Sequence, residues 1–149
     1  MKPKVIVTGG AGFIGSRLVE KLIQKDLEVH VLDNVALSEA SRLKKIKGHK
    51  NLFYTQGDLR DKKLLEEWYP EEATHLFHLA SVVGVQHYIK DPLALIDIVV
   101  VGTRNLLELA VKNKTRVLFT STSEVYGKNP NLPWSESDNR VLGLSLIHI

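Results

Sequence analysis

Apolar and polar positions follow two alternating periods along this chain, and they predict strands and helices that succeed one another. Short apolar runs closed by Gly, Asp or Asn are typical of buried strands, whereas apolar residues three and four positions apart are typical of helices. The predicted strands are residues 4–7, 28–32, 52–56, 75–79 and 116–120. The predicted helices are residues 13–25, a weak segment 38–47, 61–68 and 91–113.

This alternation predicts an α/β protein with a doubly wound parallel sheet in the strand order 3-2-1-4-5. A length of 149 residues is ordinary for one domain. The helix at 91–113 should begin with Asp91 as N-cap and Pro92 in its first turn. Because this helix is apolar almost all round, we expect it to be covered on more than one side.

Composition excludes several kinds of chemistry. Hydrophobic residues make up 44% of the chain, which is enough for a substantial core, and the formal net charge is +3. The absence of cysteine excludes disulfides, thiolate zinc sites and cysteine nucleophiles. The histidines show no metal-ligand spacing with a supporting acid, so we expect no metal site.

Nucleic-acid and membrane partners are not expected either. The basic cluster at 44–50 lacks interleaved aromatic residues, which favours a solvated helix end. The longest apolar candidate, 93–101, is interrupted by Asp97 and is shorter than the about 20 residues that a bilayer requires. We therefore predict a cytoplasmic protein.

Candidate binding chemistry begins in the glycine-rich segment 8–15, between the first strand and the first helix. Gly9 permits a tight turn, and Gly12 lets backbone N–H groups approach a pyrophosphate. Gly15 lets the helix pack closely on the strand, and the helix N-terminus then faces the anion. A glycine turn without a ligand is the alternative.

An acid after the second strand supports this interpretation. Asp33 follows Gly15 by 18 residues, at a position where a carboxylate accepts hydrogen bonds from an adenosine ribose and repels a 2′-phosphate. No basic residue follows at once, since Asn34 and Val35 come next. The pattern favours NAD over NADP, with a chance acid as the alternative.

Residues after the third and fourth strands could complete the site. Asp58 would lie where an adenine amino group could be recognised, although it could also be an N-cap or a loop acid. The segment Leu79-Ala80-Ser81 could let the backbone approach a cofactor, or it could be a packing turn.

These residues resemble the extended short-chain dehydrogenase/reductase family, specifically its nucleotide-sugar epimerases, dehydratases and decarboxylases. The matching segments are 8–15, 33–34, 57–60, 78–81 and 121–127, within residues 4 to about 143. The resemblance implies a Rossmann fold that holds NAD. The implied cofactor-binding residues are Gly9, Gly12, Phe13, Ile14, Gly15, Asp33, Asn34, Asp58, Leu59, Leu79, Ala80 and Ser81.

The resemblance also implies catalytic positions. Thr122 takes the place of the family's active-site Ser/Thr, whose hydroxyl would bind the sugar oxygen that is oxidised. Glu124 falls where dehydratases and decarboxylases carry a glutamate, and Ser123 between them looks more like the UDP-glucuronate decarboxylases. A polar strand end and loop is the alternative. Val99 departs from the family, which often has Asn at this position. Valine cannot make the backbone hydrogen bond of that asparagine, so the family pattern does not predict the helix geometry here.

The resemblance implies that the parent protein is a homodimer. The implied reaction is transient oxidation of a nucleoside-diphosphate sugar at C4, followed by epimerisation, dehydration or decarboxylation. The family's base is the tyrosine of a Tyr-x-x-x-Lys motif, and no tyrosine of this chain has lysine four residues on. We expect residues 1–143 to be an incomplete NAD-binding domain, truncated after the fifth strand, without a substrate domain and inactive alone. A non-catalytic dinucleotide-binding module and a fragment that does not fold stably are the alternatives.

The last residues do not look like family sequence. Residues 144–149, Leu-Ser-Leu-Ile-His-Ile, correspond to the translation of a transposase adapter end. We expect them to be an artefactual tail, and a native apolar tail is the alternative.

Overall fold

A five-stranded parallel sheet forms the centre of the computed structural model, which describes residues 2–82 and 84–141. Its strands are β1 (Lys4–Thr8), β2 (Glu28–Asp33), β3 (Leu52–Gln56), β4 (Ala73–His78) and β5 (Arg116–Phe119). They lie in the order β3-β2-β1-β4-β5, and each neighbouring pair is parallel. The doubly wound order predicted from the sequence is confirmed. The expected tail at 144–149 lies outside the described residues.

Helices cover both faces of the sheet. They are α1 (Phe13–Gln24), α2 (Lys62–Trp68), α3 (Val85–Lys90), α4 (Pro92–Ile96) and α5 (Thr103–Lys112). Asp61 caps α2 as predicted, because its side chain accepts a hydrogen bond from the Leu64 N–H. The pattern along the sequence did not predict α3, a helix of one and a half turns with few apolar positions to mark a period.

The predicted weak helix at 38–47 is wrong. Only the short 3₁₀ turn Ser41–Leu43 forms there, followed by non-helical turns. Leu43 is fully buried and anchors this turn. Lys44 and Lys47 lie one turn apart in any helix, and like charges at that spacing destabilise it.

The predicted helix at 91–113 is helical but not uniform. Asp91 is its N-cap, and its Oδ1 accepts the Ala94 N–H at 3.0 Å. A π-helical segment, Asp97–Gly102, separates α4 from α5 and contains Val99. This segment holds the run Ile98–Val101, and β-branched side chains crowd the preceding turn of an ordinary α-helix.

Two apolar cores lie on opposite faces of the sheet, because successive strand side chains point to opposite sides. Val5 and Val7 of β1 pack in the core beneath α1, whereas Ile6 packs in the core beneath α2 and α5. The buried face of α5 carries Leu106 and Leu109. The described residues cover only this side of the helical stretch from α4 to α5, contrary to the expectation that it is covered on more than one side.

The uncovered side is apolar. Its exposed large residues are Leu93, Ile96, Val99, Val100, Val101, Leu107 and Val111. Beside it, β5 is an edge strand of the sheet. None of the helices within the described ranges has the length and apolar character needed to cross a bilayer.

Candidate functional site

A cavity of about 570 Å³ opens at the carboxyl ends of the strands, where ligands bind in doubly wound folds. Every residue that the sequence analysis assigned to cofactor binding lines this cavity. The lining residues that it missed are Ala11, Leu32, Val35, Arg42, Gly57, Val82, Ile98 and Thr120. The structure therefore brings together residues from seven separate segments of the chain at one site.

The glycine turn forms one wall of the cavity by close backbone contact. Gly9 has a φ of 73°, which favours glycine, and a Cβ atom there would lie 2.8 Å from the Cα and N atoms of Ala80. A Cβ atom on Gly15 would collide with the Gly9 carbonyl oxygen. Gly15 thus lets α1 pack on the turn itself, rather than directly on the strand as the sequence predicted.

The N-terminus of α1 faces this turn with no side-chain cap. Gly12 is the N-cap residue, and the first turn of the helix holds no acidic side chain. A Cβ atom on Gly12 would approach only the Gly9 carbonyl oxygen, at 3.2 Å. Helix N-termini attract anions through their unpaired N–H groups and the helix dipole, so this wall is suited to a phosphate.

Asp33 is held in place by two backbone hydrogen bonds. Its Oδ2 accepts the Ala11 N–H at 2.8 Å, and its Oδ1 accepts the Val35 N–H at 3.1 Å. The side chain lies at the end of β2, and the residue is only 9% exposed. Since each carboxylate oxygen accepts more than one hydrogen bond, both oxygens can still receive a ribose hydroxyl.

Asp58 lies in the loop after β3 and is paired with Arg60. The Arg60 Nη2 lies 2.6 Å from Oδ2, and both Nε and the backbone N–H of Arg60 donate to Oδ1. These bonds hold the pKa of the Asp58 carboxyl below its usual value. Asp58 is therefore a loop acid that also lines the cavity, and Asp61 rather than Asp58 is the N-cap of α2.

A buried histidine links two strand ends to α5. His78 Nδ1 lies 2.7 Å from the Thr8 hydroxyl oxygen, and Nε2 lies 2.9 Å from the Thr103 hydroxyl oxygen. Burial lowers the pKa of His78. The Thr8 oxygen also accepts the Ala80 N–H at 3.4 Å, so the same hydroxyl contacts both the histidine ring and the backbone after β4.

Arg42 is the lining residue whose charge bears most on cofactor choice. It belongs to the 3₁₀ turn anchored by Leu43, and it lines the same cavity as Asp33 and Val35. Among the described ion pairs, none involves Arg42. No basic residue immediately follows Asp33 in the sequence, but folding brings the more distant Arg42 to the same cavity.

The predicted catalytic residues follow Thr120, which lines the cavity, but do not line it themselves. Thr122 and Glu124 are exposed and are not among its lining residues. The Thr122 hydroxyl accepts the Glu124 N–H at 3.3 Å and caps the 3₁₀ turn Ser123–Tyr126. Within residues 2–82 and 84–141, no cluster of three or more His, Asp or Glu side chains is arranged to hold a metal ion.

The sheet order, the glycine turn and the uncapped helix define a nucleotide-binding protein of the Rossmann fold. The family model described as GDP-mannose 4,6 dehydratase matches residues 6–140. The chain belongs to the extended short-chain dehydrogenase/reductase family of epimerases and dehydratases.

Two curated decarboxylases illustrate the sequence similarity. The chain is 38% identical over 143 residues to UDP-N-acetyl-alpha-D-glucosaminuronate decarboxylase of Bacillus cytotoxicus, covering 96% of this chain and 43% of that protein. It is 39% identical over 135 residues to UDP-glucuronic acid decarboxylase 6 of Arabidopsis thaliana, covering 90% of this chain and 38% of that protein. The chain thus spans less than half the length of these relatives.

Solved structures show the same fold. UDP-N-acetylglucosamine 4-epimerase of Methanobrevibacter ruminantium, solved with UDP-N-acetylmuramic acid, aligns with a TM-score of 0.80 at 35% identity, covering 95% of this chain and 45% of that one. The dTDP-glucose 4,6-dehydratase of Streptomyces venezuelae, solved with NAD bound, aligns with a TM-score of 0.81 at 32% identity, covering 93% of this chain and 45% of that one.

Proposed function

We propose that this chain is the NAD-binding part of an enzyme that acts on a nucleoside-diphosphate sugar. The observation that carries the proposal is that one cavity is lined by both the uncapped N-terminus of α1 and the fixed carboxylate of Asp33. An anion site and a ribose acceptor in one cavity fit the pyrophosphate and adenosine parts of a dinucleotide. The names of the relatives, and the NAD in one relative's structure, support the proposal.

The residues present fit NAD. The close contacts of Gly9 with Ala80 and of Gly15 with Gly9 are possible only because these residues lack a Cβ atom. They set the turn from which the N-terminus of α1 would face a pyrophosphate. Asp33 would accept the adenosine ribose hydroxyls, and Asp58 would lie towards the adenine. NAD, when bound, supplies the hydride acceptor for oxidation of the sugar.

Discrimination against NADP follows from charge. The Asp33 carboxylate lies within the cavity wall and would repel a 2′-phosphate. Arg42 lines the same cavity and opposes this repulsion. We expect the buried, doubly hydrogen-bonded acid to outweigh the exposed guanidinium, which water screens.

For the whole enzyme, we propose that Thr122 orients the substrate hydroxyl and that Glu124 serves in acid–base chemistry or in substrate positioning. Epimerisation, dehydration and decarboxylation remain the candidate reactions. The Thr122-Ser123-Glu124 sequence and the two decarboxylase relatives favour decarboxylation. A homodimer and a cytoplasmic location stay predictions.

This chain alone is proposed to be inactive, since it contains no Tyr-x-x-x-Lys motif. In such a motif the lysine lowers the tyrosine pKa, so that the phenolate can accept the proton of the sugar hydroxyl. The second candidate is a non-catalytic module that only binds the dinucleotide, because the residues that line the cavity include every assigned cofactor-binding residue but neither Thr122 nor Glu124.

Calorimetric titration of the purified chain with NAD and with NADP tests the proposal. We expect NAD to bind more tightly than NADP, but more weakly than in an intact enzyme, because a lysine that would hold the second ribose is missing. A folded chain that binds no NAD, as judged by calorimetry and circular dichroism together, overturns the proposal.

A further inference from the structure

Two side chains of β3 hold the chain segment that follows Asp33. The Tyr54 hydroxyl donates a hydrogen bond of 2.6 Å to the Val35 carbonyl oxygen. The Gln56 side-chain amide donates one of 3.1 Å to the Asn34 carbonyl oxygen. Neither β3 residue belongs to a motif that would mark it in the sequence.

These bonds reach the Asp33 carboxylate through one peptide segment. Val35 accepts the hydrogen bond of Tyr54 at its carbonyl and donates its N–H to Asp33 Oδ1 at 3.1 Å. The Gly57 N–H also donates to the Asp33 carbonyl oxygen, at 2.9 Å. Asp33 is thus held directly by the Ala11 N–H on the side of the glycine turn, and through the backbone of Asn34 and Val35 on the β3 side.

Tyr54 is a rigid donor. Its ring packs against the core beneath α1, and it pairs in register with the fully buried Val31 of β2. Burial, with a smaller contribution from the Asp33 charge, raises the pKa of Tyr54 to about 12. The phenol therefore keeps its proton, and its hydrogen bond to Val35, at neutral pH.

We propose that Tyr54 is a positioning residue that determines cofactor specificity by fixing the orientation of the Asp33 carboxylate. The inference rests on the proposed NAD-binding function. A fixed carboxylate is preorganised for the ribose hydroxyls and keeps its charge where a 2′-phosphate would lie. A carboxylate whose Val35 donor is less firmly placed can turn away from a 2′-phosphate and leave Arg42 to pair with that phosphate.

The test compares Tyr54→Phe with Tyr69→Phe. Both variants lose one phenolic hydrogen bond, but the Tyr69 hydroxyl donates to Thr115 at 2.9 Å, in the core beneath α2 and α5. We expect Tyr54→Phe to weaken NAD binding by about threefold to tenfold, the range that one hydrogen bond supports, with less effect on NADP. The NAD/NADP preference therefore narrows. Tyr69→Phe should lower the melting temperature and leave that preference unchanged.

A second readout needs no ligand. Amide hydrogen exchange at Val35 should be faster in Tyr54→Phe than in the wild type, and unchanged in Tyr69→Phe. Gln56→Ala should shift the NAD/NADP preference in the same direction by a smaller factor, because it releases only the Asn34 carbonyl.

The outcomes separate the two ideas. A wild-type chain that is folded and binds neither dinucleotide overturns the proposed function, and the Val35 exchange rate then decides the positioning role of Tyr54 alone. An unchanged NAD/NADP preference in Tyr54→Phe, an equal shift in Tyr69→Phe, or unchanged exchange at Val35 overturns the inference.

Discussion

His78 and Thr8 share a buried hydrogen bond of 2.7 Å that joins the end of β4 to the end of β1. The same Thr8 oxygen accepts the Ala80 N–H, and the Ala80 backbone lies against Gly9. One wall of the cavity is therefore set by a chain of buried polar contacts beneath it. Disturbing this chain should affect stability and binding together.

Gly9→Ala should destabilise the fold far more than Gly48→Ala. Both glycines have positive φ values, of 73° and 83°, but only Gly9 has backbone atoms of Leu79 and Ala80 within 3.0 Å of a built Cβ. Gly48→Ala should cost about 1–2 kcal/mol of unfolding free energy, from backbone strain alone. Gly9→Ala should cost more than about 3 kcal/mol of unfolding free energy, because the backbone of Leu79 and Ala80 would have to move to make room for the methyl group. Urea unfolding measures both, and equal costs would contradict the contact with Ala80.

Asp33→Ala should weaken NAD binding by about tenfold or more, because a charged acceptor of the ribose hydroxyls is lost. The ratio between the affinities for NAD and NADP should decrease in the same variant. Asp26→Ala is the control, since it removes the same charge from an exposed turn remote from the cavity. Calorimetry measures both affinities. A wild-type chain that prefers NADP would show that the acid does not set the preference.

Stability should fall as the pH drops below about 6.5, the usual pKa of histidine in an unfolded chain. Burial lowers the folded-state pKa of His78, so the unfolded state takes up a proton that the folded state does not. The loss develops between the unfolded and folded pKa values and is absent above them.

His78→Gln should flatten this pH dependence, whereas His75→Gln, at an exposed position on the same strand, should keep it. Urea unfolding at pH 5, 6 and 7 measures the slope. If the unfolding free energy of His78→Gln depends on pH as steeply as that of the wild type, another group causes the pH dependence.

The apolar surface from α4 to α5 should cause the chain to associate or to lose fixed packing. Val100 and Val111 are 59% and 79% exposed, and β5 adds an unpaired edge. Leu107→Glu with Val111→Lys places opposite charges one turn apart and should reduce light scattering. Leu132→Lys, at an exposed loop position, is the control. A wild-type chain that is a monodisperse monomer and melts cooperatively would disprove the prediction.

The chain should not turn over UDP-glucose, UDP-glucuronate or dTDP-glucose in the presence of NAD, because no tyrosine base of the required motif is present. Chromatographic assay of the sugar nucleotides measures this. Turnover that Thr122→Ala abolishes would show that another group supplies the base.

Strand positions could be predicted because both faces of a parallel sheet are buried and each strand is closed by a turn residue. The prediction for β3, 52–56, agrees with the structure because Gly57 and Asp58 end the strand, although β3 is an edge strand and is only partly buried. Residues that follow the strands could also be assigned to one site, because the carboxyl ends of parallel strands meet at one edge of the sheet.

The sequence could not show contacts made between distant segments. Arg42 lines the same cavity as Asp33, and Tyr54 donates to the Val35 carbonyl next to it. Folding alone brings these residues close to Asp33, and neither belongs to a local sequence motif. The π-helical segment Asp97–Gly102 was equally hidden, because an all-round apolar pattern shows no change of period.

The support of Asp33 on the β2–β3 side comes from one uninterrupted stretch, since Val35, Tyr54 and Gln56 all lie within residues 33–56. This stretch runs from the end of β2 to the edge strand β3, which pairs with β2, and its buried residues pack against α1. One continuous segment therefore carries the proposed determinants of the preference for NAD over NADP. Exchanging this stretch between family members would transfer the acid together with the scaffold that aims it, whereas grafting the acid alone would not.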